Sequence, residues 1–232
     1  MGFDYLHQLE RNRHFWIQGK HLIIKDLVNQ AKPGSLLDIG CGTGSLLLSL
    51  SSKVDSITGI DLSEKAVKHC RQIMPQANFV EGEATQLRFA DNSFDLVLAL
   101  DVIEHVSEDK SVISEAYRVL KPGGRLILSA PAFPWLFSQR DSAAGHLRRY
   151  RRSELVSLLK DSDLKTDYLN YYIFFLFPLL ILSRLLRLPE KDPAPFLNSF
   201  FTFICQAEAK MSRYISFPWG STLITVARKK NV

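Results

Sequence analysis

The stretch LLDIGCGTG, residues 36–44, is a short apolar run that ends in a glycine-rich turn. Leu36, Leu37 and Ile39 read as a buried strand. Gly40, Gly42 and Gly44 remove side chains where backbone must turn tightly or approach a ligand. The leucine block in 45–52 then reads as a helix. Strand, glycine turn and helix make a nucleotide cradle, because a helix N-terminus offers unpaired N–H groups to a ligand lying on bare backbone.

Working outward, further strands are expected at 56–60, 78–81, 94–100 and 125–130, with helices at 63–73 and 109–120. Strands alternating with helices imply a parallel, doubly wound sheet. Ligands of such sheets bind at the carboxyl ends of the strands, where Asp61, Glu83 and Asp101 converge. Upstream, 4–31 reads as one helical segment ended by Pro33-Gly34. Its His14-Phe15-Trp16 cluster reads as core on composition, with Trp16 also a candidate substrate contact. Downstream, 153–160 reads as a helix with Ser153 as its N-cap, 164–172 as a strand, 196–215 as a helix, and 221–227 as a last strand before a basic tail.

Which nucleotide the cradle holds turns on its acidic residues. Asp38 lies inside the first strand, where a carboxylate needs a partner, and a methionyl ammonium is one. A structural alternative is that Asp38 ties down loop N–H groups. Asp61 caps the second strand, where a carboxylate can accept from both ribose hydroxyls, and Gly82-Glu83-Ala84 is placed to meet an adenine. The segments LLDIGCGTG (36–44), GID (59–61), EGEATQLRF (81–89), FDLVLALDVIEHV (94–106) and LKPGGRLILSAP (120–131) resemble, in order and spacing, class I S-adenosylmethionine-dependent methyltransferases. The HFW, DVIEH and GHLRRY motifs resemble a bacterial subgroup of that family. The resemblance implies an α/β fold: a Rossmann-like, seven-stranded, mostly parallel doubly wound sheet with an antiparallel last strand and a helical insertion. It also implies S-adenosylmethionine contacts from Asp38, Gly40, Cys41, Gly42, Gly44, Asp61, Leu62, Glu83, Ala84, Leu100 and Asp101.

Methyl transfer needs alignment above all, and a hydroxyl acceptor also needs a base or a metal. Asp101, Glu104 and His105 would share one face of a helical turn, and His146 comes in a later loop on the same rim. This resembles the arrangement of metal-dependent O-methyltransferases, those of ubiquinone biosynthesis and of small-RNA 2′-O-methylation among them. Asp101 stands where those enzymes have Glu. Glu104, His105 and His146 are the expected catalytic residues. With Asp101 they are candidate ligands of a divalent ion, Mg²⁺ or Mn²⁺. The alternative is that Glu104 and His105 cap or orient the following helix. The basic loop 138–152 reads as an active-site lid in which Arg148, Arg149 and Tyr150 grip an anionic group of the substrate, while Arg151 and Arg152 read as a solvated helix lead-in.

The chain of 232 residues suits one domain. Its expected parts are a helical segment (1–32), a nucleotide-binding core (33–172), an apolar helical insertion or cap (173–216), and a final strand with a basic tail (217–232). A net charge of +5 without a nucleic-acid module argues against nucleic-acid partners. Three cysteines without CxxC spacing suggest neither zinc nor disulfides, and point to a reducing, cytoplasmic setting. The polar, charged start does not read as a secretory signal. The apolar run 171–188 is too broken by Pro178, Arg184 and Arg187 for a transmembrane helix. It reads first as a cap on the site, otherwise as a dimer surface or an interfacial helix giving peripheral membrane contact, with the basic tail adding attraction for anionic lipid. The expected function is O-methylation of a small-molecule, sugar or lipid-linked acceptor by a monomer or homodimer. RNA 2′-O-methylation, a non-catalytic S-adenosylmethionine-binding module and a dinucleotide-dependent oxidoreductase are the competitors.

Overall fold

The computed structural model describes residues 3–186 and 192–231. In chain order the elements are α1 (Phe3–Arg11), α2 (Phe15–Ala31), β1 (Ser35–Ile39), α3 (Ser45–Leu50), β2 (Ser56–Asp61), α4 (Glu64–Ile73), β3 (Asn78–Glu81), β4 (Phe94–Leu100), α5 (Asp109–Val119), β5 (Leu120–Pro131), α6 (Gln139–Ala143), α7 (Arg152–Asp161), β6 (Leu164–Tyr172), α8 (Phe177–Leu185), α9 (Pro195–Met211) and β7 (Thr222–Lys229). The seven strands form one sheet in the order β3-β2-β1-β4-β5-β7-β6, and β7 runs antiparallel to both neighbours. The expected Rossmann-like sheet with its antiparallel last strand is therefore present. Helices α8 and α9 are inserted between β6 and β7.

Alternation along each strand sends side chains to two cores. Leu36, Leu96, Leu98 and Ile127 face one core with α2, α3, α4 and α9. Leu37, Ile39, Val97 and Leu128 face the other with α5 and α7. The strand order reverses between β1 and β4, which opens a crevice at their carboxyl ends.

Three expectations are corrected. The first concerns 4–31, which is two helices. Arg13 takes a positive φ, and Asn198 of α9 closes the break: its Oδ1 accepts from the Phe15 N–H at 3.0 Å and its Nδ2 donates to the Arg13 carbonyl at 3.2 Å. The second is Ser153, which lies inside α7; the N-cap is Arg151, whose N–H donates to Glu154. The third is the basic tail. Arg228 and Lys229 belong to β7. Lys229 is buried and donates to the Tyr117 and Leu120 carbonyls. Arg228 is paired with Asp167. Both lie at the end of β7 beside Arg125, which opens the parallel run of β5 with β4, away from the carboxyl-end rim.

The insertion is anchored by Glu208 of α9, wholly buried, whose carboxylate accepts from the Phe174 and Phe175 N–H groups at 2.9 and 3.1 Å. Glu208→Ala strands those buried donors, at a cost of about 2–3 kcal/mol. Thermal unfolding should shift down by roughly 5–10 °C; an unchanged midpoint contradicts the anchoring role.

Candidate active site

A cavity of about 1230 Å³ lies along the carboxyl ends of the strands. Asp38, Gly40, Cys41 and Gly42 line one end of it, joined by Asp61 and Leu62 from the end of β2 and by Glu83 and Ala84 after β3. Leu100 and Asp101 close β4 on its floor. Of the cofactor residues expected from the sequence, Gly44 alone is not on the cavity wall. Its positive φ starts α3 and its backbone packs on Cys70, so it shapes the turn from behind.

The Asp61 carboxylate is held at the rim by the Gly42 N–H at 2.8 Å and the Ser63 N–H at 2.9 Å. Asp38 is 5% exposed. Burial, reinforced by the charge of Asp61 and opposed by Lys20, pushes its pKa up to about 8. A cation placed beside Asp38 would restore the carboxylate.

Two residues were missed from the sequence. Lys20, buried, reaches the cavity from α2, bonds the Asp101 carboxylate, and stands 4.0 Å over the Trp16 ring. Its position on the helical face of Ile17 and Ile24 was the available signal, since a lysine there must meet an anion. Glu10 of α1 accepts from the Ser45 hydroxyl at 2.6 Å and from the Thr43 hydroxyl. It lays α1 over the glycine turn, where Leu6 comes within 2.8 Å of the position a Gly42 Cβ would take. No pattern inside α1 announces this contact.

At the other end, a single 3₁₀ turn (Ile103–His105) brings Glu104 and His105 to the cavity, and the segment after α6 brings His146. Ligand atoms of these three lie within 4.8 Å of one another. Glu104 is wholly buried, and among the described residues neither of its carboxylate oxygens has a hydrogen-bond partner. Burial, then the charge of Asp101, hold its pKa well above the usual range. His105 Nδ1 lies 3.0 Å from the Gly145 carbonyl, which can only accept, so Nδ1 carries the proton and Nε2 the lone pair. Burial lowers its pKa, so the ring is neutral at pH 7. His146 Nδ1 lies 2.9 Å from Asp141, a carboxylate also held by Arg149 at 2.8 Å.

Asp101 is not a member of that group. Although burial works to raise its pKa, Lys20, by charge and hydrogen bond, and Ser129 hold it below the ordinary range. Its oxygens are spent on these two neighbours, which corrects its expected place in a four-ligand set. The lid reading also changes. Tyr150 is buried, bonding the Ile103 carbonyl and Asp109, and Arg148 reaches Asp109 and the Ser107 carbonyl; neither lines the cavity. Both brace the 3₁₀ turn from outside. Arg149 and Trp16 do line the cavity. The segment 138–152 also contains α6, closed by a capping box between Ser138 and Asp141.

Residues 37–128 match the family model described as a methyltransferase domain. This stretch, under half of the chain, is similar to a methyltransferase domain. The matched stretch runs from within β1 to within β5 and takes in the glycine turn, Asp61 and the Glu104–His105 turn, while Lys20 and His146 lie outside it. A Mycolicibacterium smegmatis protein described as a "Probable S-adenosylmethionine-dependent methyltransferase" is 27% identical over 156 residues, 66% of this chain and 61% of the relative. A demethylmenaquinone methyltransferase of Staphylococcus epidermidis is 33% identical over 146 residues, 59% of each chain. The chain therefore spans about six-tenths of the length of these relatives. Among solved structures, the YcgJ protein of Bacillus subtilis superposes with a TM-score of 0.63 at 20% identity, covering 92% of this chain and 100% of that one, a likeness of fold.

Proposed function

We propose that this protein transfers the methyl group of S-adenosylmethionine to an oxygen of an amphipathic small molecule or lipid-linked acceptor. One observation carries the reading: a single cavity runs from the Asp38 and Asp61 carboxylates to the Glu104, His105 and His146 cluster. S-adenosylmethionine, when bound, supplies a methyl group already activated on a sulfonium. Asp38 would meet the methionyl ammonium, Asp61 would accept from the ribose hydroxyls, and the 82–84 turn would hold the adenine. The acceptor oxygen attacks from the side of the histidines. The Nε2 lone pair of His105 takes the hydroxyl proton, and Asp141 keeps His146 in the tautomer that can do the same.

The amphipathic acceptor is supported by the mixed wall that α8 contributes through Leu180, Ser183 and Arg184. Incubating the protein with radiolabelled S-adenosylmethionine and a cell extract, then separating organic from aqueous phases, tests this. Label should enter an organic-soluble product as an alkali-stable methyl ether. Label confined to RNA, or none in any fraction, overturns the proposal.

The orphaned oxygens of Glu104 favour a second reading, in which a divalent ion sits among Glu104, His105 and His146. Two imidazoles with one carboxylate suit Mn²⁺ better than Mg²⁺, which prefers oxygen donors, and such an ion would polarise the acceptor hydroxyl. Under that reading EDTA abolishes turnover and added Mn²⁺ restores it. Full turnover in EDTA leaves the histidine base alone in the role.

A further inference from the structure

Helix α8 has two faces. Leu180, Ser183 and Arg184 line the cavity. Leu179, Leu182, Leu185 and Leu186 are turned outward, with Leu185 75% exposed. Helix α9 behaves alike. Cys205 and Ala209 are buried against the core that also takes Leu176, while Phe196, Phe200 and Phe203 stand bare at 83%, 55% and 70% exposure. With at least three large apolar side chains exposed on each of these two helices, the surface calls for an occupant.

The charge around these helices narrows the occupant. Among the described residues of 173–216 the acidic side chains are Asp192, paired with Arg140, and Glu208, wholly buried. Exposed cations flank the same face: Lys210 in the last turn of α9, and Arg11 and Arg13 beside its first turn, where Asn198 bonds the Arg13 carbonyl. Bare aromatic and leucine side chains with flanking cations, where Asp192, the one exposed carboxylate among the described residues of 173–216, is paired with Arg140, suit the headgroup and acyl boundary of an anionic bilayer. Among the described residues no helix is long and apolar enough to cross a membrane, so contact would be lateral.

We propose that α8 and α9 seat the protein on an anionic lipid surface, with α8 standing between the bilayer and the cavity so that an amphipathic acceptor enters along it. The use of the surface rests on the methylation reading above; the binding itself does not. Cations of the C-terminal strand take no part, since Lys229 is buried and Arg228 paired.

The test is co-sedimentation with vesicles of phosphatidylcholine alone and of phosphatidylcholine with about one-third phosphatidylglycerol. Wild-type protein should partition onto the anionic vesicles at least tenfold more than onto neutral ones, and less so in high salt. The variant Leu185→Ser/Phe196→Ser/Phe203→Ser, all exposed, should lose at least tenfold of that binding. Thermal stabilisation by S-adenosylhomocysteine should be unchanged in the variant, which separates a failed docking surface from a failed cofactor site. No vesicle binding by the wild type, or equal binding by the variant, overturns the proposal. So does a stable wild-type dimer that the variant converts to monomer without any vesicle binding, since the face is then a self-interface.

Discussion

Asp61→Ala is expected to weaken S-adenosylhomocysteine binding about a hundredfold. The carboxylate already accepts from Gly42 and Ser63, which aims it at the rim and holds the glycine turn in place. Losing a charged acceptor for two ribose hydroxyls costs about 3 kcal/mol, or roughly two decades of affinity. Asp38 adds a pH signature. Its carboxyl is raised to about 8 in the free protein, and a bound ammonium favours the ionised form. Binding therefore releases a proton below pH 8. Affinity climbs as pH rises from 6 to 8, by at most about tenfold per unit, and levels above. Calorimetry across that range shows both slope and proton release, and Asp38→Asn should bind weakly with a flat profile. A wild-type profile flat from 6 to 8 contradicts the pairing.

The second large effect belongs to the acceptor side. His105→Ala should lower turnover by about 10²- to 10⁴-fold, the usual scale for a positioned proton acceptor, and Glu104→Gln should do so under the metal reading, by loss of an anionic ligand. S-adenosylhomocysteine binding should stay within about threefold, because neither side chain belongs to the cofactor end. His105 is neutral at pH 7 and its pKa lies below 6.5, so wild-type turnover falls only as pH drops through that lower range. Radiometric turnover beside calorimetric affinity separates the two ends. Loss of both together in a folded variant contradicts the division of labour.

The fold was legible from 36–44 outward because strand, glycine turn and helix are local, and their alternation leaves few topologies. That Asp38, Asp61 and Glu83 line one cavity was legible for the same reason: they lie at or beside strand ends, whose location a parallel sheet dictates. What escaped depends on distant partners. The break between α1 and α2 is closed by Asn198, and the roof of the cradle depends on Glu10 meeting Ser45. Asp101 looked like a metal ligand until Lys20, eighty-one residues away, claimed its carboxylate. Tyr150 and Arg148 looked like substrate contacts because their motif runs beside His146. Their side chains instead turn to Asp109 and brace the 3₁₀ turn, a direction spacing alone does not carry.

The central claim is that the cavity between the glycine turn and the histidine pair is a methyl-donor site. Isothermal titration of the purified protein with S-adenosylhomocysteine, beside NAD, tests it most directly. The account predicts one S-adenosylhomocysteine bound per chain, lost in Asp61→Ala, with no heat from NAD. Binding of NAD without S-adenosylhomocysteine would contradict it.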